Sequence, residues 1–317
     1  MWLEILLLII GFALLIKGAD FFVDGASALA DRMAVSQIVI GLTIVAFGTS
    51  APELVVNLFA VVSGKTDISL GNIIGSNIVN ILLILGIAGL IRPLQTQKNT
   101  VWREIPFALL AVLVLLVMCN DSFFDNNSNL LTRSEAIVLL LFFTIFITYS
   151  FAISKIDVRD EPEIKQLSGK MLILYLFLGI FGLIFGGQLT VSNAVKLAAQ
   201  WELSDKLTGL TILAIGTSLP ELVTSAVAAY KNKADIAIGN IIGSNIFNIF
   251  FILGITALVS PLPFASIMNM DLGILLLASV LLFLTMFTGK KRILDRWEAG
   301  VFIVLYVMYT GYLIIRN

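Results

Sequence analysis

The sequence predicts an all-α integral membrane protein in which ten transmembrane helices form two inverted five-helix repeats. Composition gives the class: the chain is 59% apolar and 13% charged, with a mean hydropathy of +1.01, whereas soluble domains are about 25% charged. Apolar runs long enough to cross a bilayer recur along the whole sequence. A soluble helical protein is excluded because so few charged residues could not hydrate its surface.

Two long peptides each occur twice. Residues 41–54, GLTIVAFGTSAPEL, match residues 209–222, GLTILAIGTSLPEL, at 11 of 14 positions. Residues 71–87 and 239–255, both beginning GNIIGSNI, match at 14 of 17 positions. Both pairs are separated by 168 residues, so the chain contains two copies of one unit.

Hydropathy predicts five spans in each copy. A polar link at 155–169 separates a first repeat at 1–154 from a second at 170–317. The expected spans are 3–30, 34–63, 68–91, 102–119, 131–153, 170–200, 204–230, 235–259, 269–289 and 297–315.

The odd number of spans per repeat predicts the inversion. If the first half enters the membrane from one side, the second must enter from the other, as in many secondary transporters. With both termini outside the cell, fourteen Lys and Arg residues fall in inner loops and four in outer loops. This bias predicts a multi-pass protein of the cell inner (plasma) membrane, with the 155–169 link in the cytoplasm.

Several classes of function are disfavoured by composition. The chain has no His and one Cys, so a His metal site and an intrachain disulfide are both excluded. No basic run suggests nucleic acid, and nothing indicates a cofactor or an obligate protein partner, so the bilayer is the expected environment. An intramembrane enzyme is a weak alternative because no nucleophile motif accompanies the acidic residues.

Glu53 and Glu221 are the candidate functional residues. Each lies near the middle of an expected span, where a carboxylate costs at least ~2.5–3.5 kcal/mol. A structural ion pair would need a basic partner, and no Lys or Arg lies within nine residues of either Glu. We therefore interpret the pair as ligands of a transported cation.

Each of these glutamates follows a proline. Pro52 and Pro220 cannot donate an N–H to the carbonyls of Gly48 and Gly216, so both helices should break beside the carboxylate. Free carbonyls and a carboxylate are hard oxygen ligands that suit Ca²⁺. A simple proline kink is the alternative reading.

Further oxygen ligands follow from helical spacing. The hydroxyl pairs near the glutamates are Thr49 and Ser50 in the first copy, and Thr217 and Ser218 in the second. The next span of each copy carries a polar stripe with a four-residue period, of which the deeper members are Ser76, Asn80, Ser244 and Asn248. These four are favoured as ligands, whereas Asn72, Asn77, Asn240 and Asn245 are favoured as interhelical contacts.

The charges of the two glutamates suggest that Na⁺ and Ca²⁺ compete for one site and are exchanged. Two carboxylates are neutralised by one Ca²⁺, and several Na⁺ could replace it, but Na⁺ and Ca²⁺ together would leave a costly excess charge. Asp20 and Asp24 become Gln188 and Ser192 in the second copy, so we leave them outside the predicted site without a role.

These motifs carry a family resemblance. GTSAPEL and GTSLPEL, followed by GSNIVN and GSNIFN, resemble the alpha repeats of the Ca²⁺/cation antiporter superfamily, and most of all its prokaryotic sodium/calcium exchangers. The resemblance implies that both repeats are exchanger membrane regions, that Ala46 and Ala214 add carbonyl ligands, and that the first and sixth spans slide as a gate. It implies Na⁺ movement into the cell driving Ca²⁺ out by alternating access.

One residue departs from the pattern of several relatives. Asn248 stands where potassium-dependent exchangers and others carry Asp, so K⁺ use and stoichiometry stay open. Gly75 stands where the proton-coupled branch carries Glu, which disfavours H⁺. An antiporter using H⁺, K⁺ or another divalent cation is the alternative, and a cation channel is less favoured because one chain already supplies a whole site.

Overall fold

The structure, a computed structural model, describes residues 2–124, 129–153, 167–200 and 214–316, and they are mostly helical. The helices of the first half are α1 Trp2–Met33, α2 Gln37–Ile40, α3 Ala46–Val62, α4 Thr66–Ile78, α5 Leu85–Ile91, α6 Ile105–Met118, α7 Asp121–Phe124 and α8 Arg133–Ile153. Those of the second half are α9 Gly169–Gln200, α10 Ala214–Gly216, α11 Leu219–Tyr230, α12 Ala234–Ile246, α13 Leu253–Val259, α14 Asn269–Thr285 and α15 Arg296–Arg316.

Short segments of other geometry interrupt these helices. Four are π-helical, at Gly41–Val45, Val79–Ile84, Thr100–Glu104 and Phe247–Ile252, and one is 3₁₀, at Ser266–Met268. Four strands of two residues each are β1 Leu94–Gln95, β2 Leu130–Leu131, β3 Leu262–Pro263 and β4 Ile293–Leu294. The prediction of an all-helical membrane protein is confirmed apart from these strands, which lie between spans.

Within the described residues, eight helices are long and apolar enough to cross a membrane, and a ninth candidate is the bent pair Gln37–Thr49 and Ala51–Val62. The seventh of the ten expected spans, at 204–230, is described only from Ala214 onward. The polar link at 155–169 also lies largely outside the described residues.

The strand pairs relate the two halves. β1 pairs with β4 through Leu94 and Leu294, and β2 pairs with β3 through Leu131 and Leu262. Leu262 lies 168 residues after Leu94, so each copy of this strand pairs with the opposite half. Such reciprocal pairing is what a two-fold relation between the halves produces. It also places together loops that were predicted to lie on the same side of the membrane.

Burial divides the spans into two groups. In an 18-residue apolar window of Ser69–Ile91 and of Ala234–Val259, 78% and 83% of the residues are buried, against at most 33% in the other single spans among the described residues. The third and eighth expected spans therefore form the centre of the bundle, and the others turn much of their surface outward.

The helices α1 and α9 pack closely along their length. A Cβ built at Gly18 would lie 2.7 Å from the backbone nitrogen of Leu183, and one at Gly182 would lie 2.8 Å from the Cα of Gly18. Glycine is required at this crossing because a larger residue would force the two backbones apart. The first and sixth spans thus form a closely packed pair beside the central helices.

Candidate ion-binding site

The two glutamates lie inside the bundle. Glu53 is on α3 and Glu221 is in the first turn of α11, and each is 1% exposed. Ser50, three residues before Glu53, hydrogen-bonds to the Glu221 carboxylate, so the two glutamates belong to one region of the bundle. Among the described residues no Lys or Arg forms an ion pair with either, so their charge is left for another group to balance.

The prolines act differently in the two repeats. In the second, the helix ends at Gly216 and begins again at Leu219, as the sequence predicts. In the first, helical hydrogen bonding continues through Pro52 in α3, and the span is broken only by a bend of 43° at Ser50. A proline removes one helical hydrogen bond but does not by itself force the chain out of helical geometry.

Hydroxyl groups of the first repeat reach the second. Ser50 Oγ donates to Glu221 Oε1 at 2.8 Å and lies 3.0 Å from Ser244 Oγ. Thr49 Oγ1 donates to Asn240 Oδ1 at 3.0 Å, with a longer contact of 3.3 Å to the Ala46 carbonyl. The peptide around Glu53 therefore binds directly to the site of the opposite repeat.

Two asparagine pairs repeat this arrangement symmetrically. Asn80 Nδ2 donates to Asn245 Oδ1 at 3.0 Å, and Asn248 Nδ2 donates to Asn77 Oδ1 at 2.9 Å. Each residue of one pair lies 168 positions from its counterpart in the other. Asn80 and Asn248 are also the second residues of equivalent π-helical segments, a geometry frequent at functional sites.

Buried polar atoms without a protein partner mark where a ligand belongs, because such atoms are costly unless paired. Several predicted ligands carry one: Glu53 Oε2, Glu221 Oε2, Ser76 Oγ, Asn80 Oδ1, Thr217 Oγ1, Ser218 Oγ and Asn248 Oδ1. The donor set consists of carboxylate, amide and hydroxyl oxygens, which suit a hard cation. The described residues contain no cluster of three Asp, Glu, His or Cys side chains that could hold a metal ion, so the acidic candidates at this site are the two glutamates.

Three predicted ligands of the second repeat lie close to the end of the undescribed segment 201–213. Ala214 is the first residue described after position 213 and begins the single turn α10, and Thr217 and Ser218 follow that turn at the helix break.

Asn57 was not anticipated: its Nδ2 donates to the Glu53 carbonyl at 2.7 Å, and its Oδ1 is buried without a partner. Its four-residue spacing from Glu53 is the signal that could have identified it.

Three of the four asparagines that were favoured as interhelical contacts make such contacts, whereas Asn72 Nδ2 is buried without a partner. Asn77 and Asn245 bond across the two repeats, and Asn240 donates to Ser225 Oγ at 3.0 Å as well as accepting from Thr49. They therefore orient the predicted ligands.

Asp20 and Asp24 lie in an ion-pair cluster away from the glutamates. Lys231 Nζ is 2.5 Å from Asp20 Oδ1 and 2.6 Å from Asp24 Oδ1. Lys233 Nζ donates to Ser27 Oγ at 2.6 Å and lies 3.8 Å from Asp24. These contacts join α1 to the turn between α11 and α12.

An apolar helical bundle with related halves and a buried, uncompensated acidic pair has the architecture of a membrane transport protein. A family model described as sodium/calcium exchanger protein matches residues 3–152 and 171–315. The chain therefore belongs to the sodium/calcium exchanger family.

Relatives of known sequence and structure agree with this assignment. The sodium/calcium exchanger MaX1 of Methanosarcina acetivorans is 32% identical, with 96% of each chain covered. The putative antiporter CaxA of Alkalimonas amylolytica is 37% identical, with 95% of each covered. A solved structure of the sodium-calcium exchanger NCX_Mj, soaked with Na⁺ and no Ca²⁺, superposes with a TM-score of 0.85 at 33% identity and 98% coverage of both chains.

Proposed function

We propose that this protein exchanges Na⁺ for Ca²⁺ across the cell inner membrane by alternating access to a site built on Glu53 and Glu221. The observation that carries the proposal is the set of buried oxygens without protein partners, contributed by both repeats around two uncompensated carboxylates. Two negative charges match one Ca²⁺ or two Na⁺, and cations bound to opposite repeats would couple the motions of those repeats.

The ligand set we propose is the one predicted from the sequence. Besides the glutamates it comprises Thr49, Ser50, Ser76, Asn80, Thr217, Ser218, Ser244 and Asn248, with the carbonyls of Ala46 and Ala214. The fold has ten spans in two inverted repeats, 1–154 and 170–317, with both termini outside and the link in the cytoplasm. The close pair α1 and α9 slides against the remaining helices, and a single chain suffices for transport.

Flux measurements in proteoliposomes test this proposal. Na⁺-loaded vesicles containing the wild-type protein should take up ⁴⁵Ca²⁺ when diluted into Na⁺-free medium, and uptake should saturate with Ca²⁺. Glu53→Gln keeps the side-chain shape but removes one charge, so uptake should fall below about a tenth of wild type. Asp121→Asn, which removes a carboxylate from α7 between the fourth and fifth spans, is the matched control and should keep full activity.

The same vesicles distinguish the alternatives. K⁺ or H⁺ gradients in place of Na⁺ identify the coupling ion, because Asn248 lacks the charge that other antiporters carry there. Uptake that needs no counter-ion gradient would indicate a channel. Full Na⁺-dependent uptake by Glu53→Gln would show that the acidic pair is not the transport site.

A further inference from the structure

A second buried carboxylate lies well away from the glutamate pair. Glu104 is 4% exposed and lies near the start of the fourth span, Thr100–Met118, on the side of the bundle where β1 pairs with β4. It lines a small cavity with room for about one water-sized occupant. The cavity is enclosed by the start of the second span, the residues after β1 and the end of the fifth span: Ser36, Ile38, Val39, Leu42, Gln97, Asn99, Thr100, Tyr149 and Ser150.

Two side chains facing this cavity have atoms without partners. Glu104 Oε2 and Thr100 Oγ1 are both buried and unbonded, and Thr100 is 1% exposed. The other carboxylate oxygen, Glu104 Oε1, accepts from Tyr149 Oη at 3.1 Å. The carboxylate is thus only half satisfied, which is costly for a buried charged group.

Three further polar side chains around the cavity, Gln97, Tyr149 and Ser150, offer oxygen lone pairs. Tyr149 and Ser150 direct their hydroxyl protons elsewhere, to Glu104 Oε1 and to the Phe146 carbonyl at 2.8 Å. Gln97 donates its Nε2 to Asp235 Oδ2 at 2.6 Å, which leaves its carbonyl oxygen available. A lining rich in acceptors and bearing one carboxylate favours a cation over an anion.

The second repeat shows how such a carboxylate is otherwise balanced. Asp271 lies in the first turn of the fourth-span helix of that repeat, α14, and its Oδ2 lies 3.0 Å from Arg316 Nη2. Like Glu104, it also accepts from a tyrosine, Tyr309, at 3.1 Å. Among the described residues no Lys or Arg forms an ion pair with Glu104: the adjacent Arg103 is exposed and attracts the carboxylate only at longer range.

We propose that the Glu104 cavity binds one small monovalent metal cation, such as Na⁺, in the position that Arg316 takes toward Asp271. A water molecule could satisfy the free oxygens but would leave the buried charge unbalanced, whereas a divalent ion would leave an excess positive charge. The bound ion would hold the beginning of the second span against the fourth and fifth, next to the corner where α1 ends.

Thermal unfolding of detergent-purified protein tests this site without any transport measurement. The background is Glu53→Gln/Glu221→Gln, which removes both charges of the central pair. In that background, raising NaCl or KCl against choline chloride at constant ionic strength should raise Tm by about 2 °C for each tenfold increase above the Kd.

Adding Glu104→Gln should abolish this cation-dependent shift, and adding Thr100→Val should reduce it. Asp271→Asn is the matched control: it lowers the baseline Tm but leaves the cation-dependent shift intact, because its carboxylate is already paired. The proposal is overturned if no metal-dependent shift occurs, if the shift survives Glu104→Gln, or if only Ca²⁺ produces it. Because the central carboxylates are absent throughout, the result is independent of whether they carry transport.

Discussion

The two asparagine pairs that join the repeats, Asn80–Asn245 and Asn248–Asn77, predict a measurable loss of Ca²⁺ affinity when they are broken. Asn80 has its Nδ2 bound to Asn245 and its Oδ1 buried without a partner, so in the proposed site the Asn245 contact fixes which end of the amide is left for the cation. Asn245→Leu keeps the branched shape but removes the acceptor. The Asn80 amide then loses the contact that orients it, and its oxygen no longer points reliably toward the ion.

The size of the effect follows from burial. Asn80 is 1% exposed and Asn245 is 4% exposed, so the freed amide cannot turn to water. Leaving a buried donor without a partner costs about 1–3 kcal/mol. If about 1.4 kcal/mol of this appears in ion binding, the affinity for Ca²⁺ falls about tenfold. Asn77→Leu frees Asn248 in the same way, and the two-fold relation predicts a similar loss.

The assay is the Ca²⁺ dependence of ⁴⁵Ca²⁺ uptake into Na⁺-loaded proteoliposomes. Both variants should raise KM about tenfold, with values within about a factor of three of each other. Ser279→Ala removes a buried hydroxyl that bonds only to Leu275 in its own helix, so it controls for the general cost of losing a buried polar group. An unchanged KM in Asn245→Leu and Asn77→Leu would refute the orienting role.

Three further changes probe the surroundings of the site. Ser50→Ala removes a charge-assisted hydrogen bond to the second glutamate, which is worth about 1.5–3 kcal/mol, and should raise the KM for Ca²⁺ at least several-fold in the same uptake assay. Gly18→Val places side-chain atoms against the backbone of Leu183, and this overpacking should destabilise the protein by about 1–3 kcal/mol in thermal unfolding, whereas Gly311→Ala, with no described atom within 4 Å, should not. Lys231→Gln breaks ion pairs that are partly solvent-exposed, so Tm should fall by the equivalent of no more than about 1 kcal/mol, and less at high salt.

Much of the candidate site could be predicted because its residues recur in both repeats of the sequence. A carboxylate in an apolar span is expensive, so its recurrence after 168 residues indicates function without any structural information. Helical spacing then placed Ser76, Asn80 and their counterparts on one face. Asn57 was missed because its counterpart is Ser225, so the repeat gave no matching signal.

The helix geometry around the prolines could not be predicted in the same way. Pro52 and Pro220 occur in nearly identical peptides, yet the first helix bends and the second is interrupted. A proline leaves both outcomes open, and neighbouring contacts decide between them. Those around Ser50 tie the first peptide to Ser244 and Glu221 of the opposite repeat.

The sequence by itself determined the membrane class, the two repeats and the acidic pair, because hydropathy, repetition and the cost of a buried charge are local properties of the chain. Only the tertiary structure decided which atoms of those residues lack partners, that Asp20 and Asp24 pair with Lys231, and that no described Lys or Arg pairs with Glu104 as Arg316 pairs with Asp271. Each of these facts depends on residues far apart in the chain, whose side chains come together only when the helices pack.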